Sequence, residues 1–412
     1  MLELVVRRAR LPGAGPGPVD IGIEAGRVVA VAARIDADCP ELHARDRLVL
    51  PGLVDTHLHL DKSRTADRCV QVEGTLAEAI RETARIKAAF TEQDVYERAR
   101  ETLEACVLQG TTRIRTHVEV DPAVGTRGLD AVRRLAADLA WAVDVQVCVF
   151  AQEGLTNCPG TDALLVDALE RGVPVVGGAP YADVDPPGQL DRVFELARRF
   201  DVDVDLHLDL AETTDAMQLA DVCKRTVAQG WEGRVTVGHV TQLSLLPPEE
   251  YDALCDLVAG SGVAMTVLPA TDLFLMGRAV RAAKPRGVVP LAPLLARGAA
   301  CSVATNNVLN AFTPYGDGSL IRMANLYANV THAGSRTELD QCLDLVTANA
   351  ARVMRTPDYG IAPGAPADLV CLDAADGADA VARIAPARWG LKRGRLTFTR
   401  ELPVLHQPGA LT

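Results

Sequence analysis

The stretch Val202-Asp203-Val204-Asp205-Leu206-His207-Leu208-Asp209 alternates strictly between aliphatic residues and residues that are acidic or histidine. Because successive side chains of a β-strand point to opposite faces, this segment predicts a strand with one aliphatic and one polar face. Asp55-Thr56-His57-Leu58-His59-Leu60 and Arg113-Ile114-Arg115-Thr116-His117-Val118-Glu119 repeat the pattern. In a parallel barrel the aliphatic face packs against outer helices, so the polar face is predicted to point into the barrel.

Working outward from these strands, apolar runs alternate along the chain with longer segments of helical spacing. Such alternation is typical of parallel sheets, and eight repeats indicate an α/β fold of the (β/α)₈ TIM-barrel type. The predicted strands are 52–59, 111–118, 143–150, 173–177, 202–208, 234–239, 263–268 and 300–304. The predicted helical segments are 76–108, 129–142, 163–171, 188–199, 214–229, 247–259 and 291–296.

The two ends of the chain have a different pattern, with short β-like pieces separated by glycine and proline. Residues 1–50 and 362–412 are therefore predicted to form a small β-sandwich domain outside a barrel of residues 51–361. The tail after Glu401 is expected to be loosely held.

The composition argues against several classes of partner. A net charge of −12 disfavours nucleic acid and anionic membranes. No apolar run reaches the roughly 18 residues of a membrane span, and the N-terminus lacks the residue order of a signal peptide. Ten cysteines are scattered without a C-x-x-C pair, which favours reduced thiols in a cytoplasmic protein.

Four histidines fall at the ends of predicted strands, where barrel active sites lie: His57 and His59 on the first, His207 on the fifth and His239 on the sixth. Three imidazoles on a rigid frame can hold a divalent metal and leave one position for water. Such a water ionises near pH ~7 rather than ~15.7. An H-x-H pair alone is also explained by structural hydrogen bonds, but four histidines at three strand ends together favour metal binding or catalysis. The histidines outside the strand ends are expected at the surface: His43, His332 and His406.

Two longer motifs resemble a known family. Leu50-Pro51-Gly52-Leu53-Val54-Asp55-Thr56-His57-Leu58-His59-Leu60-Asp61-Lys62 resembles the first-strand motif of the amidohydrolase superfamily. Tyr359-Gly360-Ile361-Ala362-Pro363-Gly364-Ala365-Pro366-Ala367-Asp368-Leu369-Val370 resembles its C-terminal signature. Over nearly its full length the chain resembles the cytosine deaminase branch, and the matching stretches between the motifs are 115–118, 150–154, 207–209, 238–239 and 357–360.

The resemblance implies a site for one divalent ion, zinc or iron, with His57, His59 and His207 as ligands. It also implies that His239 polarises or deprotonates the attacking water. No lysine follows the fourth strand in 175–180, so a carbamylated lysine bridging two metals is not expected. The residues expected to contact a nucleobase-like substrate are Gln152, His117, Phe312 and Asn306.

Two positions depart from the family pattern. Leu210 stands where the family has a proton-shuttling glutamate, and Asn306 stands where it has a metal-binding aspartate. A lost general acid–base group typically costs ~10²–10⁴ in rate. Carboxylates in nearby loops are candidate substitutes, although each is also explained as a solvated loop residue. They are Asp209, which continues the polar face of its strand, and Glu212, Asp272 and Asp317.

Three hypotheses follow. The first is a metal-dependent amidohydrolase-like enzyme that hydrolyses or deaminates a C–N bond of a small polar nitrogen heterocycle. The alternative is a metal-independent or non-hydrolytic enzyme that performs cyclisation, elimination, dehydration or isomerisation with His207, His239 and Lys62. The third is a catalytically dead binder of small molecules. Three histidines retained in ligand positions favour the first, and the resemblance implies self-association into a homo-oligomer.

Overall fold

The computed structural model describes residues 1–13, 15 and 17–406. Its strands, in chain order, are β1 Leu4–Ala9, β2 Val19–Glu24, β3 Arg27–Ala32, β4 Glu41–His43, β5 Leu48–Pro51, β6 Leu53–Leu58, β7 Thr111–Glu119, β8 Asp144–Ala151, β9 Val175–Gly178, β10 Asp203–Leu208, β11 Val235–His239, β12 Ala264–Val267, β13 Cys301–Val303, β14 Leu369–Leu372, β15 Ala387–Lys392 and β16 Arg395–Thr399.

The helices lie mostly between the barrel strands. They are α1 Leu76–Lys87, α2 Glu92–Leu108, α3 Arg127–Asp138, α4 Thr161–Glu170, α5 Pro186–Phe200, α6 Leu219–Gln229, α7 Pro248–Ser261, α8 Pro269–Leu275, α9 Ala292–Ala296, α10 Leu320–Thr331, α11 Arg336–Asp344, α12 Ala348–Val353 and α13 Gly377–Ala382. Within the described residues, none of these helices is long and apolar enough to cross a membrane.

The eight strands β6 to β13 form one parallel sheet in sequence order, which confirms the predicted barrel. The barrel closes between β6 and the residues just after β13. The backbone amide of Asn306 donates to the carbonyl of His57 at 2.8 Å, and the amide of His59 donates to the carbonyl of Asn306 at 2.9 Å. The seam of the barrel therefore lies beside the predicted metal ligands.

The alternating strands place their two faces as the sequence predicts. Val204, Leu206 and Leu208 of β10 are completely buried in the main hydrophobic core. Asp205, between them, faces the barrel interior, where its carboxylate pairs with Arg115 at 2.7 Å. Burying such a charge is costly unless it has a partner, and Arg115 supplies that partner.

The terminal segments form two four-stranded sheets, which confirms the predicted β-sandwich. One sheet has the order β3-β2-β1-β4, and the other combines β5 with the C-terminal strands in the order β16-β15-β14-β5. Buried side chains from both segments, including Val6, Ile21, Leu369 and Trp389, form a core of their own between them.

The helices differ from the sequence prediction in that one predicted segment is divided and several further helices are present. The predicted segment 76–108 is two helices, because the Thr91 side chain accepts a hydrogen bond from the Asp94 amide at 3.1 Å and caps a new helix, α2. The structure also contains helices where the sequence predicts none: α8 between β12 and β13, and α10, α11, α12 and α13 after the eighth barrel strand.

Candidate active site

Four histidines lie together at the C-terminal mouth of the barrel, at the ends of β6, β10 and β11. His57, His59, His207 and His239 are each at most 2% exposed. The Nε2 atom of His207 lies 2.9 Å from that of His59 and 3.1 Å from that of His57. One ring nitrogen from each of His57, His207 and His239 also lies within 4.8 Å of the others.

This nitrogen cluster fits a divalent cation. A neutral imidazole nitrogen has either one proton or one lone pair, so His207 Nε2 cannot make good hydrogen bonds to both of its nitrogen neighbours. A cation bound by histidine nitrogens resolves this crowding. Within the described part of the chain, the side-chain oxygen and nitrogen of Asn306 are also buried without a partner. They line the same pocket as His207 and His239.

The environment favours the neutral form of His57, His59 and His207, as metal ligation requires. Burial is the largest cause, and it lowers the pKa of His57, His59 and His207 well below the ordinary value. The neighbouring imidazoles lower these pKa values further, because two cationic rings at this distance would repel each other.

A carboxylate stands directly behind His239. Asp272 Oδ1 lies 2.6 Å from His239 Nδ1, and Asp272 is completely buried. The other oxygen, Oδ2, accepts the backbone amide of Leu268 at 3.2 Å. The sequence predicts Asp272 only as one of four candidate loop carboxylates, each of which is also explained as a solvated loop residue. Because α8 begins directly after β12, its first turn instead points this carboxylate into the barrel mouth.

Another part of the pocket wall is formed by Lys62, Gln152 and Phe312. Lys62 is 2% exposed, and its Nζ atom lies 3.1 Å from Gln152 Oε1 and 3.4 Å from Glu119 Oε2. Nζ also sits 5.4 Å from the centre of the Phe312 ring. This wall combines hydrogen-bond donors and acceptors with one aromatic face, which suits a planar polar ring.

Asp209, predicted as a substitute acid–base residue, points elsewhere. Its carboxylate accepts the backbone amides of Gln218 at 2.8 Å and Leu219 at 3.0 Å, at the start of α6. The strand ends at Leu208, and the positive φ of Asp209, 49°, turns the chain so that the polar face of β10 does not continue. The geometry gives Asp209 a capping function rather than a place beside His207.

Three other predicted residues also lie outside the pocket. His117 is stacked beneath His57, with ring centres 3.8 Å apart, and its Nε2 atom lies 3.3 Å from Asp205. Glu212 accepts the backbone amide of Arg278 in an exposed loop. Asp317 accepts the Ser319 amide before α10. Of the four substitute carboxylates, Asp272 is the one that contacts a histidine of the cluster.

The two departures from the family motif have different surroundings. Leu210 is 4% exposed and belongs to an apolar cluster with Leu275 and Phe312. Asn306 has a φ of 61°, a left-handed conformation that asparagine tolerates better than most residues. Neither position provides a carboxylate, so Asp272 is the carboxylate that reaches this cluster through a hydrogen bond to His239.

Comparison with known proteins agrees with this architecture. Residues 126–398 match a family model described as the amidohydrolase family. The chain is 28% identical over 412 residues to N-isopropylammelide isopropyl amidohydrolase of Pseudomonas sp. (strain ADP), covering 98% of each chain. It is 28% identical over 387 residues to pterin deaminase of Rhizobium rhizogenes (strain K84 / ATCC BAA-868), covering 90% of this chain and 85% of that protein.

A solved structure is similar over the whole chain. It is 5-methylcytosine deaminase from Klebsiella pneumoniae liganded with 5-fluorocytosine, with a TM-score of 0.93 and 28% identity. The similarity covers 98% of this chain and 99% of that one. Both the barrel and the terminal sandwich therefore belong to the shared fold.

Proposed function

Because the chain belongs to the amidohydrolase family, we propose that it hydrolyses a C–N bond, other than a peptide bond, in a small polar nitrogen heterocycle. The observation that carries this proposal is the buried pair of His239 and Asp272 beside the histidine cluster. It supplies a general base at a site whose two expected carboxylates are replaced by Leu210 and Asn306.

The His239–Asp272 pair suits proton transfer. Asp272 holds the Nδ1–H tautomer of His239, which leaves Nε2 free to accept a proton. In the proposed reaction Nε2 takes one proton from water as the oxygen attacks the ring carbon, and returns it to the leaving nitrogen as the C–N bond breaks. The second water proton moves to a ring nitrogen when the new hydroxyl becomes a carbonyl, so the products are an amine or ammonia and an oxo-heterocycle.

The histidine cluster would hold one divalent ion, zinc or iron, through His57, His59 and His207. When bound, such an ion supplies Lewis acidity, which lowers the pKa of a water molecule. The amide of Asn306 is a neutral and weaker ligand than the aspartate of the family pattern. The site is therefore proposed to depend on the three imidazoles for its affinity.

The substrate is proposed to be a small molecule whose ring lies against Lys62, Gln152 and Phe312. Gln152 and Lys62 would hydrogen-bond ring nitrogens or oxygens, and Phe312 would cover one face of the ring. Asn306, with both side-chain polar atoms unpartnered among the described residues, has donor and acceptor capacity left for the same ring.

A direct assay tests the proposal. The purified full chain is incubated with cytosine, ammelide and pterin, and release of ammonia is measured together with the metal content. Activity is expected to require His239, so His239→Gln should abolish it, whereas the matched surface variant His332→Gln should not change it. If the protein contains near-stoichiometric zinc or iron, and a chelator removes both the metal and the activity, the proposed metal dependence is supported. Full activity in His239→Gln would refute the assignment of the base.

A second candidate function is non-hydrolytic chemistry on the same barrel, which the neutral Leu210 and Asn306 favour. The double variant Leu210→Glu with Asn306→Asp distinguishes the two. If ammonia release appears only in the double variant, the native reaction is not hydrolysis. If the unmodified chain already releases ammonia, the His239–Asp272 pair is sufficient and the second candidate is excluded.

A further inference from the structure

A cleft of about 690 Å³ opens beside the histidine pocket. Its walls come from loops and helix ends at the barrel mouth, and its apolar lining includes Leu76 and Ile80 of α1, Leu210 after β10, and Leu275 of α8. We call this the apolar cleft. Its volume falls in the range of roughly 300–1,000 Å³ that is usual for ligand pockets.

The apolar cleft and the histidine pocket share two wall residues, Tyr181 and Leu210. The histidine pocket itself has a free volume of only about 10 Å³, which is room for about one water molecule. A heterocycle therefore enters it only when wall side chains move. Binding energy from a part of the substrate away from the reacting atoms can drive such a rearrangement.

We propose that the substrate is a polar nitrogen heterocycle that carries an apolar alkyl or aryl substituent, and that this substituent occupies the apolar cleft while the ring lies at His207 and His239. This inference rests on the proposed function for the ring. It adds that the cleft, not the histidine pocket, provides most of the selectivity for substituted over unsubstituted rings.

Leu210 connects the two compartments. It packs with Phe312, which faces the ring site, and with Leu275, which lines the apolar cleft. A glutamate at this position would place a charge at the junction, and burying that charge beside an apolar substituent is costly. The change from glutamate to leucine is thus explained as a gain of substituent binding at the position where a proton shuttle is lost.

Calorimetric titration of the full chain with two matched pairs of ligands tests this proposal. The pairs are cytosine with N4-butylcytosine and ammelide with N-butylammelide. Each buried methylene contributes about fourfold in affinity, so a fully buried butyl group contributes up to about 10²-fold. The butyl member of at least one pair is expected to bind at least about tenfold more tightly than its parent ring.

A variant that fills the cleft locates the effect. Ala77 is an exposed residue in the first turn of α1 and lines the cleft, so Ala77→Trp should reduce the butyl preference to about threefold or less without weakening the parent ring. Ala88 is also an exposed alanine, at the end of the same helix and outside the cleft lining, and Ala88→Trp is the matched control. Thermal unfolding of both variants shows that each has folded.

The outcomes separate the two proposals. If parent rings and butyl rings bind equally well, the apolar cleft does not hold a substituent, and the proposed function stands. If Ala77→Trp and Ala88→Trp have the same effect, the substituent binds elsewhere and the inference is overturned. If no member of either pair binds, the ring chemistry is wrong, and the inference that rests on it falls as well.

Discussion

Asn306 serves the molecule through both its backbone and its side chain. Its backbone amide and carbonyl close the barrel against β6, and its left-handed φ of 61° directs the side chain into the pocket of His207 and His239. Aspartate tolerates the same backbone conformation, so a change to aspartate alters the charge of the site without straining the chain.

Asn306→Asp is therefore expected to bind a divalent ion at least about tenfold more tightly, because a carboxylate replaces a neutral amide next to neutral imidazoles. Competition with a chelator of known affinity measures the change. Asn329→Asp, on an exposed part of α10, introduces the same charge far from the site and should leave the affinity unchanged. Equal affinities in the unmodified protein and Asn306→Asp would show that residue 306 does not face the ion.

Asp272→Asn tests the base at the same scale. The amide keeps the shape of the side chain but no longer favours the proton on His239 Nδ1, so kcat is expected to fall by about 10²–10⁴ with little change in KM. Steady-state kinetics on a hydrolysed substrate provide the measurement. Asp317→Asn, in the loop before α10, is the control and should retain activity. A loss confined to KM would mean that Asp272 positions substrate instead.

At the scale of elements, Lys87 joins α1 to the end of β7. Its buried ammonium lies 2.6 Å from Glu119 and also contacts Asp121 and Glu153. Burial alone would lower the pKa of Lys87, but the carboxylates around it raise that pKa instead. Burial alone would raise the pKa of Asp121, but the hydrogen bond from Lys87 is among the contacts that lower it.

Lys87→Met is expected to cost about 3–5 kcal/mol of unfolding free energy at pH 7, because it leaves buried carboxylates unpaired. In the unmodified protein, Asp121 stabilises the folded state fully above its unfolded-state pKa of ~3.9. This stabilisation is lost as pH falls through its lower folded-state pKa.

In the variant, burial without Lys87 raises the folded-state pKa of Asp121. The loss of unfolding free energy relative to the unmodified protein should therefore shrink from pH 7 towards pH 5. Urea unfolding at several pH values measures this trend. Lys224→Met, on the exposed face of α6, is the control and should lose no unfolding free energy. A loss in Lys87→Met that does not change with pH would contradict the charge argument.

The strands could be predicted from the sequence because their periodicity reflects a local property, the alternation of faces. The segment Val202–Asp209 shows this, since its Asp205 and His207 face inward as expected. Asp209 itself could not be predicted, because its direction depends on one positive φ at the strand end. Asp272 was found only as one of four candidates, since its contact with His239 depends on where α8 begins relative to β11, a tertiary relation.

At the scale of the whole molecule, a buried cation is among the contacts that link the terminal sandwich to the barrel. Lys392 of β15 is 1% exposed, and its Nζ atom donates to Asp368 at 2.6 Å, to Asp144 at 2.7 Å and to the carbonyl of Thr112 at 3.2 Å. Asp144 and Thr112 belong to barrel strands, whereas Lys392 and Asp368 belong to the C-terminal segment. The contact thus couples the folding of the two units.

Lys392→Met should weaken this coupling. The expected cost is about 2 kcal/mol, below the full value for a buried pair because both aspartates keep some solvent contact. Arg393→Met is a demanding control, because Arg393 also pairs with Asp144, at 2.9 Å. Arg393 is largely exposed, so its loss should cost less than about 1 kcal/mol.

Urea unfolding followed by both circular dichroism and tryptophan fluorescence makes the comparison, because Trp389 lies in the sandwich core and Trp231 follows α6 in the barrel. Separate transitions in Lys392→Met, with a single one in Arg393→Met, would show that this buried lysine makes barrel and sandwich unfold as one unit. Identical single transitions in both variants would instead assign the coupling to the apolar contacts between them.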